Sequence, residues 1–227
     1  MKASCDAFVL VVAVQLCDDT SETHSSVPDT HHTSTVLRTS DIVSAERSAA
    51  VRCKPPNILV YCGKKDSGRL FAGVKSVIDK CVNTDQYVIY HLKHDDVLTT
   101  PWHDNTALLV VASDRVYDGV DQRFLQFFVN GGMLISFGSA FDSLLVERTV
   151  RLPGLSGQLG LVTLNCEGHD RLSVIGTKYC YSSPCESLLS DVSLTCLARD
   201  DVTHLPVIVE AVHQSTAGLA VLSQVSL

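Results

Sequence analysis

The chain has 227 residues, of which 45% are hydrophobic and 19% charged, a composition typical of a globular protein with a buried core. The formal net charge of −7, with acidic and basic residues interspersed, argues against binding to nucleic acid. The nine cysteines include no Cys-x-x-Cys pair, which argues against a zinc ribbon or a thioredoxin-like redox site. We therefore expect an intracellular protein with reduced cysteines.

The first 54 residues differ in composition from the rest of the chain. The apolar run Ala7–Leu16 has the length of a signal-peptide core but is too short to span a bilayer, which needs about 20 residues. Its flanks do not fit a signal peptide, so we do not expect secretion. The remainder, with its doublet His31-His32, is rich in Ser, Thr, Asp and His and lacks an apolar period. Residues 1–54 are thus predicted to be a low-complexity, disordered tail, and residues 55–227 one domain.

Alternating strand and helix patterns follow Pro55-Pro56. The apolar run Ile58–Cys62 predicts a buried strand. Apolar residues then recur at helical spacing from Leu70 to Cys81 and predict an amphipathic helix. Tyr87–Leu92 predicts a second strand, followed by a polar loop that leads to a third, central strand at Ala107–Ala112.

The second part of the domain continues this pattern and then changes. Asp121–Val129 predicts a helix that Gly131-Gly132 ends, and Met133–Phe137 a fourth strand. The order β-α-β-β-α-β predicts a doubly wound, mostly parallel sheet between helices. Beyond Leu144 the pattern predicts a strand-rich C-terminal part, with strand-like runs beginning at Leu161, Leu172, Val207 and Leu219.

Several stretches of residues 55–227 resemble, in the same order, the N-terminal domain of the biotin protein ligases (holocarboxylase synthetases). They are PPNILVYCG, VKSVIDKCVNTDQYVIYHL, VLTTPWHDNTALLVVA, FLQFFVNGGMLISFGSAF and AGLAVLSQVSL. The resemblance implies an α/β, flavodoxin-like, class I glutamine amidotransferase-like fold.

In that fold a catalytic cysteine lies on a sharp turn after a strand, near backbone N–H donors. The spacing from the glycine pair puts Phe137 where the cysteine is expected, followed by Gly138 and Ser139. A phenyl ring can neither attack a carbonyl nor be activated by a base. The sequence SDRVYDG also replaces the glycine-rich oxyanion loop expected after the third strand. We therefore predict a degenerate, non-catalytic site.

The resemblance implies that the complete family enzyme uses biotin and ATP to form biotinyl-5'-adenylate and to modify a carboxylase lysine. That chemistry belongs to a separate domain with a GRGGN-type loop, which these residues lack. The glycine cluster Gly154–Gly160 lacks the Lys-Ser/Thr of a phosphate-binding loop. We expect an accessory domain without a cofactor, located in the cytoplasm or, as in the family, the mitochondrion. The expected partners are the ligase catalytic domain or biotin-accepting carboxylase domains, and neither nucleic acid nor membrane.

The predicted interaction surface is the carboxyl edge of the parallel strands, where open α/β sheets place their sites. Residues that follow the first, third and fourth strands form this edge: Gly63, Lys64 and Lys65, then Ser113, Asp114 and Arg115 of the run Ser113–Tyr117, and Gly138–Phe141.

Two other functions remain open at this point. One is a hydrolase or amidotransferase that uses Ser139 or Cys62, whose pKa the neighbouring Lys64 and Lys65 would lower. A base for it would come from His204, Glu210 or His213. The other is a stand-alone duplicate of the domain with an unrelated binding role.

The loop between the second and third strands is rich in residues that can bind metal, although we expect no metal there. These are His91, His94, Asp95, Asp96 and His103. Their spacing alone does not show that they converge, and solvated loop residues are expected. Trp102 is expected to pack beneath the loop.

Overall fold

The computed structural model describes residues 55–65, 67–117, 119–150, 160–166 and 172–226. The predicted tail at residues 1–54, with the apolar run Ala7–Leu16 and His31-His32, lies outside these residues. So does most of the glycine cluster, from Gly154 to Leu159.

Helices and strands alternate up to β4, and strands dominate after it. In chain order the elements are β1 (Asn57–Tyr61), α1 (Ser67–Ile78), β2 (Val88–His91), α2 (His94–Thr99), a 3-10 turn (Trp102–Asn105), β3 (Thr106–Val111), α3 (Val120–Val129), β4 (Met133–Phe137), a 3-10 turn (Ala140–Leu144), β5 (Arg148–Val150), β6 (Gly160–Cys166), β7 (Leu172–Gly176), β8 (Tyr179–Tyr181), β9 (Val192–Asp200), β10 (Pro206–His213) and β11 (Gly218–Ser223). In the ranges given above, no helix has both the length and the apolar character needed to cross a membrane.

Nine of these strands form one mixed sheet in the order β2-β1-β3-β4-β11-β10-β9-β6-β7. The first five run parallel to one another. The other four are added in antiparallel fashion, and β5 pairs with β8 separately. The prediction of an α/β protein with parallel central strands and a strand-rich C-terminal part is confirmed.

The central strands are apolar throughout because both faces of the sheet are covered. Alternate residues of a strand point to opposite faces. Thus Leu59 joins a core with Phe124 and Phe128 of α3, whereas Val60 joins a second core with Val74 of α1. Helices on both faces explain why β1 and β3 read as continuous apolar runs.

The polar loop predicted between β2 and β3 contains a short helix, α2, and a 3-10 turn. Only His94 and Val97 of α2 are buried, so its sequence carries no apolar period. The Trp102 indole packs against Phe124 and Phe127, and its Nε1 donates to the Val97 carbonyl at 3.1 Å. Trp102 therefore packs beneath this segment, as expected.

Other differences lie at element ends and in the C-terminal part. Helix α1 ends at Ile78, three residues before the predicted Cys81. Strand β9 was not expected, because polar and charged residues interrupt its apolar positions. The short strands β5 and β8 were likewise not expected.

Candidate functional site

The carboxyl ends of β1, β3 and β4 meet at one edge of the sheet and border a cleft of about 590 Å³. From β1 the chain passes to β2 on one side, and β3 lies on the other side of β1. The loops after β1 and β3 therefore diverge, which opens a cleft between them. The structure brings most of the predicted interaction surface into the lining of this cleft: Gly63, Lys64, Lys65, Ser113, Asp114, Arg115, Tyr117 and Gly138. Ser139 and Phe141, which were predicted to lie on the same surface, are instead buried.

Gly63 lets the loops after β1 and β3 touch at the base of the cleft. Its φ of +73° lies in the left-handed region, and an added Cβ would come within 2.6 Å of the Ser113 Oγ. Ser113 in turn shapes the second loop, because its hydroxyl donates to the Arg115 carbonyl at 2.8 Å.

Charged side chains form the rim of the cleft. Lys64 and Lys65 are exposed, and the side chain of Arg115 is 71% exposed. The Arg115 Nε lies 3.7 Å from a carboxylate oxygen of Asp114, and its Nη1 donates to the Tyr117 hydroxyl at 3.3 Å. Of the described residues that line the cleft, three are cationic and one is a carboxylate, on a chain whose formal net charge is −7.

The floor of the cleft is apolar. Leu70 and Phe137 are partly buried there, above the buried Cys62 and Ala112. Phe137 packs against the core on the α1 face of the sheet. The side chain at the expected nucleophile position therefore provides an apolar surface.

The turn after β4 is sharp but offers no attacking group. Gly138 has a φ of +57°. Ser139 is fully buried, and its Oγ accepts a hydrogen bond from the Phe141 N–H at 3.2 Å as the cap of the following 3-10 turn. An added Cβ at Gly138 would lie 2.8 Å from the Thr177 Cγ2, so the turn packs closely against the segment after β7.

Cys62 is a buried thiol. It is 3% exposed, and burial raises its pKa to about 12. This is the opposite of the lowering that Lys64 and Lys65 would produce, because the cost of burying a thiolate dominates. Of the two interpretations of Cys62 that the sequence allows, a lysine-activated nucleophile and a cysteine that ends a buried strand, the raised pKa favours the second.

A buried carboxyl group beneath the turn had no counterpart in the sequence prediction. Asp142 is fully buried and accepts hydrogen bonds from the Ser136 hydroxyl, from the Tyr181 hydroxyl at 2.6 Å and from the Gln224 amide at 3.0 Å. The Gln224 carbonyl accepts from the Thr177 hydroxyl at 2.8 Å, and Thr177 lines the cleft. Burial raises the pKa of Asp142 to about 6, although its hydrogen bonds and the nearby Arg148 oppose this rise.

The partners of Asp142 come from β4, β8 and the residue after β11, which are far apart in the sequence. No local motif marks this arrangement. Only the presence of an aspartate in the mostly apolar segment AFDSLLV could have drawn attention to it.

The histidines and aspartates around α2 do not converge. His91 stacks on Phe71 with ring centroids 4.9 Å apart, and burial lowers its pKa. His94 is buried, with Nδ1 2.9 Å from the Tyr61 hydroxyl, whereas His103 is exposed beside Asp104. In the part of the chain that the structure describes, no group of three or more His, Cys, Asp or Glu could hold a metal ion.

The suggested bases are also dispersed. His204 lies in the turn before β10, and Glu210 in the middle of that strand, which β11 separates from β4. His213 of β10 pairs with Gly218 of β11, and Leu219, the next residue of β11, lies beside Met133 at the start of β4. Phe137 is at the other end of β4. At about 3.3 Å per residue, His213 is roughly 16 Å along the sheet from the turn.

A comparison with curated proteins finds a relative of part of the chain. Human biotin–protein ligase is 34% identical over 124 residues, which cover 51% of this chain and 17% of the ligase. The chain therefore spans less than a fifth of the length of that relative. No family model matches the chain.

Solved structures share only the fold. An exo-β-1,4-mannosidase from Opitutaceae bacterium strain TAV5 is similar with a TM-score of 0.50 and 10% identity, over 75% of this chain and 31% of that one. A ThuA-like protein from Bacteroides uniformis has a TM-score of 0.49 and 11% identity, over 77% and 84% of the two chains. The identity to the human ligase shows that the chain contains a region related to biotin–protein ligase.

Proposed function

We propose that this chain acts as a non-catalytic accessory and interaction domain of a biotin protein ligase. The observation that carries the proposal is the turn after β4. Phe137 occupies the expected nucleophile position, and the nearby hydroxyls of Ser136 and Ser139 are both buried, the first bonded to Asp142 and the second to the Phe141 N–H. The cleft is thus formed in the manner of an α/β site but carries no nucleophile at this turn.

The strand order supports the finer assignment of the fold within this proposal. The parallel strands β2-β1-β3-β4-β11 follow the order 2-1-3-4-5 of flavodoxin-like sheets, with the cleft at the point where the chain changes direction. A class I amidotransferase-like origin accounts for a sharp strand-to-turn junction at Phe137 and Gly138. The 34% identity to human biotin–protein ligase supports the association with biotinylation.

The alternative of a cysteine or serine hydrolase is less well supported. Cys62 is protonated at neutral pH because burial raises its pKa to about 12. His213 lies roughly 16 Å along the sheet from the turn that holds Ser139, which is too far for it to act as a base there. A stand-alone duplicate with an unrelated binding role would share the same cleft.

Two binding titrations test the proposed function. Calorimetry of this chain against a biotin-accepting carboxylase domain, and separately against a biotin ligase catalytic domain, is expected to show a complex with one of them. No cofactor is required for this domain, so the complex should form without biotin or ATP. Binding to neither domain would overturn the proposal and favour the stand-alone duplicate.

Enzyme assays complete the test. The chain alone is expected to show no glutamine hydrolysis and no biotin-dependent exchange of pyrophosphate into ATP. Glutamine turnover that Cys62→Ala or Ser139→Ala abolishes would establish the hydrolase alternative instead.

A further inference from the structure

The cleft at the carboxyl edge combines an apolar floor with a charged rim. Leu70 and Phe137 form the floor, and Lys64, Lys65 and Arg115 stand at the rim. Protein–protein interfaces have this anatomy of an apolar centre and a polar rim. Small-molecule sites instead enclose most of the ligand and aim a few polar groups inward. Since the Arg115 side chain is 71% exposed, the arrangement fits a polypeptide segment better than an enclosed ligand.

The sign of the charge at the rim indicates which charges a bound polypeptide segment should carry. Among the described residues that line the cleft, three cations stand against one carboxylate, that of Asp114, which lies beside Arg115. Carboxylates of a partner would be attracted at short range. The net charge of −7 over the whole chain, however, opposes the approach of a long polyanion such as nucleic acid. A segment with a few acidic residues satisfies both conditions.

We propose that this cleft docks an acidic segment of a partner protein that presents one apolar side chain to the floor. The apolar side chain would rest on Leu70 and Phe137, and flanking carboxylates would pair with Lys65 and Arg115. This inference rests on the proposed function, for which it specifies the chemistry of the partner.

Three labelled synthetic peptides test the inference by fluorescence anisotropy. The first carries a central leucine flanked by aspartates and glutamates, the second has glycine in place of the leucine, and the third has lysines in place of the acids. Only the first is expected to bind well. Its binding should weaken with added salt, because the screening length falls from about 10 Å at 0.1 M to about 3 Å at 1 M.

Charge reversal on the protein locates the binding surface. The double substitution Lys65→Glu and Arg115→Glu is expected to weaken binding of the first peptide by about tenfold or more. The matched control is Lys80→Glu, because Lys80 is also exposed but follows the far end of α1, at the opposite edge of the sheet. Phe137→Ala should weaken binding of the first peptide. If that variant does not fold, the peptide with glycine in place of leucine tests the apolar floor independently.

Each outcome separates this inference from the proposed function. Equal binding of the acidic and lysine peptides, or indifference to the double reversal, would overturn the inference, as would tighter binding of an oligonucleotide. If none of the peptides binds but a carboxylase or ligase domain still does, the proposed function stands and only the inference of an acidic, apolar docking segment is wrong. If the acidic peptide binds the cleft and neither domain does, the proposed function fails and the docking site stands.

Discussion

Asp142 is cut off from solvent, so its ionisation affects the stability of the fold. Burial raises its pKa from the usual 3.8 to about 6. Between these values the folded protein holds a proton that the unfolded chain releases. The contribution of this proton to the free energy of unfolding is fully present below pH 3.8 and is lost as the pH rises through 6. Since a tenfold change in proton affinity is worth about 1.4 kcal/mol, we expect a loss of about 3 kcal/mol.

The variant Asp142→Asn isolates this effect, because an amide does not titrate. Between pH 4, where part of the effect is already lost, and pH 7, urea unfolding should show the stability difference between this variant and the natural protein shifting by about 2 kcal/mol in favour of the variant. Asp114→Asn is the control, because the side chain of Asp114 is 83% exposed. Parallel pH profiles for Asp142→Asn and the natural protein would contradict the prediction.

Cys62 should react slowly with thiol reagents in the folded state, because it is 3% exposed and burial raises its pKa to about 12. Alkylation with iodoacetamide near neutral pH, followed by peptide mass spectrometry, is expected to modify Cys62 only after unfolding. Cys81, which is partly exposed, serves as an internal comparison. Labelling of Cys62 at the rate of the unfolded chain would show that the thiol is accessible.

Residues of the cleft that follow a strand directly could be predicted from the sequence, whereas those contributed by distant segments could not. Gly63 and Ser113 lie at the carboxyl ends of apolar runs, so the general rule for open α/β sheets was enough to place them. Thr177 reaches the cleft only because β7 ends near the turn at Gly138. Asp142 depends on three partners whose proximity no local pattern encodes.

At the scale of elements, the close approach of the β10–β11 turn to α3 makes Gly218 a sensitive position. An added Cβ at Gly218 would collide with the Phe128 carbonyl oxygen, a backbone atom that cannot move without displacing α3. We expect Gly218→Ala to lower the free energy of unfolding by about 2 kcal/mol or more.

Gly73→Ala in α1 is the matched control for this prediction. Nothing lies within 4 Å of a Cβ at Gly73, and the position is inside a helix. Alanine there should raise the free energy of unfolding by roughly 0.5–1 kcal/mol. Chemical denaturation of both variants gives the comparison, and equal effects would show that the contact with α3 does not constrain residue 218.

Elements with a strong apolar pattern were predicted well, and those formed through tertiary contacts were not. Strand β4 has the predicted bounds, Met133–Phe137, because it is covered on both faces and bounded by glycines. Helix α2 has only two buried residues, so its sequence looks like a loop. Strand β9 is held between β10 and β6, and this pairing, rather than an apolar pattern of its own, determines its conformation.

For the whole molecule, we expect a chain that begins at Pro55 to fold like the full chain. Within the part of the chain that the structure describes, the two cores use residues from Ile58 to Val225, and the composition of residues 17–54 does not support a core. Thermal unfolding followed by circular dichroism should give the same midpoint for both chains. A chain that begins at Cys62 is the control, because it lacks β1 and should not unfold cooperatively. A large drop in the midpoint for the Pro55 chain would assign residues 1–54 to the folded unit.

The position of β11 has a consequence for synthesis. This strand lies between β4 and β10, with Leu219 beside Met133, although the two residues are far apart in the sequence. Until residues 218–223 leave the ribosome, β4 has an unpaired edge that can pair with strands of other nascent chains. The pairing of β4 with β11 is also slow, because the long segment between them must lose conformational entropy before the two strands can form favourable contacts. The yield of soluble protein should therefore depend on the rate of synthesis and on chaperones more than on the stability of the finished fold.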